Sequence, residues 1–151
     1  MVRFLSHDDA EAQSLLAANG VELVAVSQIH EQLAVHRVLA ASEADVRADV
    51  VLTAPNDADA DSGNGAWHVN AQHEAHTVLE GVGVIEFWCG DGPVGAVLEP
   101  GDIMLVKGAE HRYRPLTDQR WLIRYSGGPQ EQLTATQTGR PSAPWPAVAI
   151  D

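Results

Sequence analysis

Apolar residues recur at helical intervals only in the first third of the chain; from about residue 48 onward they alternate with polar ones or form short runs between turn signals. Residues 8–18 read as a helix, with Ser6 as N-cap, Asp9 as the reciprocating acid, Leu15 and Leu16 as the apolar face and Gly20 as the stop. Residues 21–26 read as a short extended run. Over 28–41, Ile29, Leu33 and Val38 are loosely spaced at helical intervals without Gly or Pro, which predicts a second helix. The β-branched stretch 48–53 predicts a strand stopped by Pro55, and the Asp-, Asn-, Ser- and Gly-rich stretch 56–65 a loop. Beyond it, turn signals at Gly81, 90–93, Pro100-Gly101, Gly108 and 127–129 separate runs rich in Val, Ile, Leu and Trp. Such even spacing predicts a sandwich or barrel built from hairpins. The expected architecture is mainly β, with helices up to about residue 47 and a barrel over about 48–139. The tail over 140–151, with three prolines in residues 141–146, should be extended, trailing over the surface or loosely ordered.

At 151 residues the chain is long enough for one domain that buries roughly two thirds of its unfolded surface. Cys89 is the single cysteine, which rules out a disulfide framework. No apolar run approaches the ~20 residues of a membrane span, and no basic-plus-apolar leader follows Met1. A cytoplasmic protein without a membrane partner is therefore expected. Nine Lys and Arg against 21 Asp and Glu give a formal net charge of −12, which argues against a nucleic-acid partner. Five of the nine basic residues, Lys107, Arg112, Arg114, Arg120 and Arg124, nevertheless lie within eighteen positions of one another. They form either a solvated strand face or a pocket wall that attracts an anionic small molecule.

Candidate chemistry is concentrated in the stretch from Trp67 to His76. If it is extended, His68, Asn70, Glu74 and His76 share one face and His73 points the other way. Two imidazoles, a carboxylate and an amide on an inward face need a solvated cleft or a metal to be tolerated there; on an outward face they are ordinary surface residues. His68, Asn70, Glu74 and Gly81 resemble the first motif of the cupin superfamily, HxH(x3)E(x6)G, with one histidine replaced. The run Gly101-Asp-Ile-Met-Leu-Val-Lys-Gly-Ala-Glu-His111 is similar to the second cupin motif, with the proline absent and the spacing one residue shorter. The resemblance implies a double-stranded β-helix, or jelly-roll barrel, whose strands aim His68, Asn70, Glu74 and His111 at one divalent metal. Fe(II) is favoured, and Ni(II), Mn(II) or Zn(II) also suit such ligands.

Within the cupins the chain most resembles the acireductone dioxygenase family. The segments carrying this are Ala17-Ala-Asn-Gly-Val-Glu-Leu23, Ala48-Asp-Val-Val-Leu-Thr-Ala-Pro55, Val78-Leu-Glu-Gly81, Glu99-Pro-Gly-Asp102, His111-Arg-Tyr113, Ile123-Arg124 and Thr138-Gly139. The resemblance implies oxidative cleavage of an enediol-type substrate, with Arg124 as bidentate donor to its anionic oxygens. Two positions depart from the family. Asn70 stands where the second metal histidine is expected, and His76 where an arginine is expected. His76 is thus a substitute ligand, a general base or a space filler. These departures imply a divergent paralogue acting on a small chelating enediol, hydroxy-ketone or amino-acid-derived substrate. A metal-dependent isomerase, cyclase or lyase using His76 as acid and base, and a non-catalytic binding cupin, are the alternatives. Cupins often pair through their sheets, so a homodimer is a candidate assembly.

Weaker candidates are the aromatics Trp67, Phe87, Trp88, Tyr113 and Trp121, as pocket lining or plain core. Cys89 reads as a bystander. Asp57, Asp59 and Asp61 resemble a calcium loop only in outline, because the closing glutamate is missing.

Overall fold

A computed structural model describes residues 2–25, 46–52, 63–70, 73–126 and 135–150. The helix expected over 28–41, the loop over 56–62 with its three aspartates, and the turn at 127–129 lie outside these residues.

The described chain is built from two antiparallel sheets. Its strands are β1 (Arg3–Leu5), β2 (Val21–Ala25), β3 (Val46–Leu52), β4 (His68–Val69), β5 (His73–Glu80), β6 (Gly83–Cys89), β7 (Gly92–Leu98), β8 (Asp102–Lys107), β9 (His111–Pro115), β10 (Gln119–Ser126) and β11 (Thr136–Gln137). One sheet runs β1-β7-β6-β9-β4-β11 and the other β2-β8-β5-β10-β3. A helix, α1 (Asp9–Ala18), packs beside β2. Among the described residues no helix is long and apolar enough to cross a membrane.

Strand alternation explains the core. On β6, Ile85, Phe87 and Cys89 point inward; on β7, Val94, Ala96 and Leu98; on β8, Met104 and Val106. These join Val78, Tyr113 and Trp121 in one cluster that α1 reaches through Ala12 and Leu16. Every second residue enters this cluster, as in a sandwich of two sheets, but the intervening Val84, Val97, Ile103 and Leu105 are buried as well, so β6–β8 are covered on both faces. Gly81, the glycine of the first motif, ends β5 at φ +78°, and a Cβ there would lie 2.1 Å from the Asp118 carbonyl oxygen. Only a residue without a side chain fits that corner.

Two expectations are corrected. The cap of α1 is Asp8, whose carboxylate accepts from the Glu11 amide at 2.8 Å, whereas Ser6 adopts a left-handed φ of 63° two residues earlier. Ahead of α1 the chain is not helical: β1 extends the six-stranded sheet, while β2, over the stretch read as extended, joins the five-stranded one. The tail runs over the surface of the six-stranded sheet: Arg112 donates to the Ala143 carbonyl at 2.8 Å and lies 4.0 Å from the centroid of Trp145.

Candidate metal centre

The stretch from Trp67 to His76 is not one strand. His68 begins β4 in the six-stranded sheet, whereas Glu74 and His76 lie on β5 in the five-stranded sheet. The expected parity still holds within it: His68, Asn70, Glu74 and His76 are buried, and His73 is exposed.

On β4 and β9, His68 and His111 are direct register partners, and their ring centroids are 4.4 Å apart. Each is tied to a carbonyl two residues upstream, His68 Nδ1 to Ala66 and His111 Nδ1 to Ala109, both at 2.8 Å. A carbonyl oxygen only accepts, so Nδ1 carries the proton in each ring and the lone pair stays on Nε2. Burial and the neighbouring His68 push the pKa of His111 down to about 4, against the opposing pull of Glu74. His111 is therefore neutral at pH 7, the form that ligates a metal.

Across the interior, His76 Nε2 lies 3.2 Å from Glu74 Oε1, and the Asn70 side chain also bonds the Glu74 carboxylate. Burial alone would raise the pKa of Glu74. The bond and charge of His76, with His111 and Asn70, overcome it and hold Glu74 below its ordinary value. The His76 ring meets Trp121 edge-on at 5.3 Å, and its buried Nδ1 has no partner among the described residues.

In donor chemistry this set fits a divalent ion: two imidazoles anchored at Nδ1, that of His111 neutral, and one ionised carboxylate. It is not a closed cage. Among the described residues no group of three or more His, Cys, Asp or Glu stands in a metal-holding arrangement, and Glu74 Oε1 is engaged by His76.

Arg124 lies on β10 at the register position opposite Ala75, alternate to Ile123 and Tyr125, which stand opposite His76 and Glu74. The other clustered cations do not form a common wall. Lys107 and Arg120 are exposed. Arg112 faces away from the interior, alternate to His111 and Tyr113, and both its Nε, at 2.7 Å, and its Nη2 donate to Glu86 Oε1. The aromatics divide in the same way. Phe87, Tyr113 and Trp121 are core, with Phe87 5.7 Å from the His111 ring, whereas Trp67 and Trp88 lie edge to face outside that cluster. Burial pushes the Cys89 thiol up, which leaves it unreactive. The anchors at Ala66 and Ala109 were not legible in the sequence, because they are main-chain carbonyls that alanine does not advertise.

A cavity of about 470 Å³ opens between α1, β2 and β8, lined by Phe4, Leu16, Leu23, Leu105 and Lys107 among others. A second, of about 450 Å³, lies by Arg3, Val97 and Ile150. Neither includes a candidate site residue.

No family model matches the chain, and no curated protein matches it. Among solved structures it is similar to an acireductone dioxygenase from Bacillus anthracis with a cadmium ion in its active centre. That match has 20% identity and a TM-score of 0.53, over 82% of this chain and 90% of the other. It is also similar to an oxalate decarboxylase of Bacillus subtilis, at 13% identity and a TM-score of 0.46, over 78% of this chain and 27% of that one. The second likeness is too slight to argue from. The first shows the fold: the chain is a cupin in architecture, built like acireductone dioxygenase, as its motifs imply.

Proposed function

We propose that this chain is a metal-dependent cupin enzyme of dioxygenase type, in which His68, His111 and Glu74 hold a divalent ion, with Fe(II) preferred over Ni(II), Mn(II) or Zn(II). The observation that carries the reading is the pair of buried histidines, whose Nδ1 atoms are both tied to carbonyls at 2.8 Å and whose Nε2 atoms are left as donors. An acireductone dioxygenase of the same fold that holds cadmium in its active centre supports the choice of a divalent ion. When bound, such an ion supplies Lewis-acid polarisation of a chelating pair of substrate oxygens and a site for dioxygen.

The chain's own residues have separate tasks. The Ala66 and Ala109 carbonyls fix the two imidazole tautomers. Asn70 and His76 orient the Glu74 carboxylate. Phe87, Tyr113 and Trp121 exclude water from the interior. At its Nδ1, which has no partner among the described residues, His76 takes a proton from an acidic C–H or O–H of the substrate and returns it. The substrate class is a small chelating enediol, hydroxy-ketone or amino-acid-derived compound. Because Asn70 and His76 stand where the acireductone family has histidine and arginine, the chain reads as a divergent paralogue in specialised metabolism.

That same His76 Nδ1 favours a second reading, an isomerase, cyclase or lyase that needs no oxygen. Turnover of a candidate enediol or hydroxy-ketone under strict anoxia separates the two: full-rate product without dioxygen sinks the oxygenase and leaves the acid–base enzyme. Metal analysis of untagged protein tests both. Less than about half an ion per chain, unchanged in His68→Ala and His111→Ala, would instead identify a metal-free binding module.

A further inference from the structure

The segment Thr138 to Arg140 grips the residue that precedes each of the two anchored histidines. Thr136 and Gln137 form β11 on the free side of β4, with Gln137 opposite His68. The next amide, that of Thr138, donates to the Trp67 carbonyl at 3.0 Å. Gly139 then turns the chain at φ +77°. This brings Arg140 onto Glu110, the residue before His111: Nε lies 3.0 and 3.2 Å from the two carboxylate oxygens, and Nη2 lies 2.9 Å from Oε1. Thr138 Oγ1 donates to the same carboxylate at 2.5 Å.

The far side of this grip is also closed. The Arg140 guanidinium stacks 3.8 Å from the centroid of Trp88, and the Trp88 amide donates to the Glu110 carbonyl at 2.9 Å. Trp67 in turn meets Trp88 edge-on at 5.7 Å. Glu110, Trp67 and Trp88 thus enclose the outer side of the β4–β9 pair, whose inner side carries His68 and His111.

We infer that Thr138 and Arg140 are positioning residues, which set the spacing of His68 and His111 by fastening Trp67 and Glu110 to one rigid segment. The inference rests on the proposed metal-holding role of those histidines. Neither Thr138 nor Arg140 touches the interior; each acts through the residue it holds. A forked guanidinium on a carboxylate, with a hydroxyl on the same group, fixes orientation as well as distance. Outer partners of this kind typically change metal affinity by about 10–100-fold when removed.

The test is a titration of metal-free protein with Co(II), followed through the visible ligand-field bands, on wild type, Arg140→Ala, Arg140→Lys and Thr138→Val. The urea midpoint of each metal-free protein is measured alongside. Arg140→Ala is expected to weaken Co(II) binding about ten-fold or more and to shift or broaden the bands, with partial rescue in Arg140→Lys. Loss of stability alone would move the urea midpoint and leave the band positions where they are. Tight Co(II) binding in wild type, with affinity and spectrum retained to within about two-fold in Arg140→Ala and Thr138→Val, overturns this inference and spares the metal reading. Wild type that takes up no Co(II) overturns both. Should Arg140→Ala fail to fold, Thr138→Val and Glu110→Gln carry the same comparison.

Discussion

His68 and His111 are register partners across β4 and β9, and their Nδ1 atoms are held by carbonyls at the same 2.8 Å. The pairing gives the interior two equivalent imidazole donors from strands about forty residues apart in sequence. In the proposed site, substituting either removes half of the nitrogen donor set. Untagged wild-type protein is expected to retain about one divalent ion per chain, and His68→Ala or His111→Ala less than about one tenth, by elemental analysis after gel filtration.

Acid should erode the metal-free fold in a defined window. His111 titrates near 6.5 when unfolded but at about 4 in the fold, where burial and His68 oppose its charge. Between those values the unfolded chain binds the extra proton, so stability rises with pH and is lost as pH falls from about 6.5 towards 4. Glu74, held below its ordinary value, adds a loss at still lower pH as its carboxylate protonates. The urea midpoint measured from pH 7.5 to 4 should show the first slope, and His111→Gln should flatten it.

Arg112 and Glu86 form a buried pair on the outer face of the six-stranded sheet, with side chains 1% and 8% exposed. Arg112→Met leaves the Glu86 carboxylate uncompensated and should cost about 3–5 kcal/mol in chemical denaturation. The double change Arg112→Met with Glu86→Leu should recover most of that loss, since no buried charge is then left alone. Additive losses in the double variant would show that the two groups are not coupled.

Trp145→Ala should loosen the tail without disturbing the core. The lost stacking on Arg112 is worth about 1–2 kcal/mol at a desolvated site. Limited proteolysis is the direct readout: cleavage within residues 138–150 should accelerate while the barrel resists.

Gly81→Ala should be far more costly than an alanine on a strand surface. Its φ of +78° is strained for any L side chain, and the Asp118 carbonyl leaves no room for a Cβ. A loss of at least about 2 kcal/mol is expected from the urea midpoint.

Alternation makes much of the candidate site legible in the sequence. It separates the exposed His73 from the buried Glu74 and His76, and the β6–β7 hairpin follows from its turn glycines, whereas β8 crosses to the other sheet after Gly101 instead of pairing with β7. Period two says which residues share a side, but not which sheet a strand joins, so the passage from β4 to β5 was invisible and His68 seemed continuous with Glu74. Arg112 was misread for a different reason. Proximity in sequence grouped it with Lys107 and Arg120, although its parity relative to His111 already placed it on the opposite face. Tail docking could not be read at all, because it depends on Arg112 and Trp145 meeting across some thirty residues.

β4 and β9 belong to one sheet and β5 to the other, so the anchored histidines lie in one layer and Glu74 in its opposite. An ion shared by the three would rivet the layers together, and separating the sheets would require breaking its bonds. Its main signature would then be kinetic: loaded protein should unfold much more slowly than metal-free protein, by a factor exceeding any change in refolding rate. Stopped-flow unfolding with and without Co(II) would therefore report on the contact between the two sheets as well as on the site.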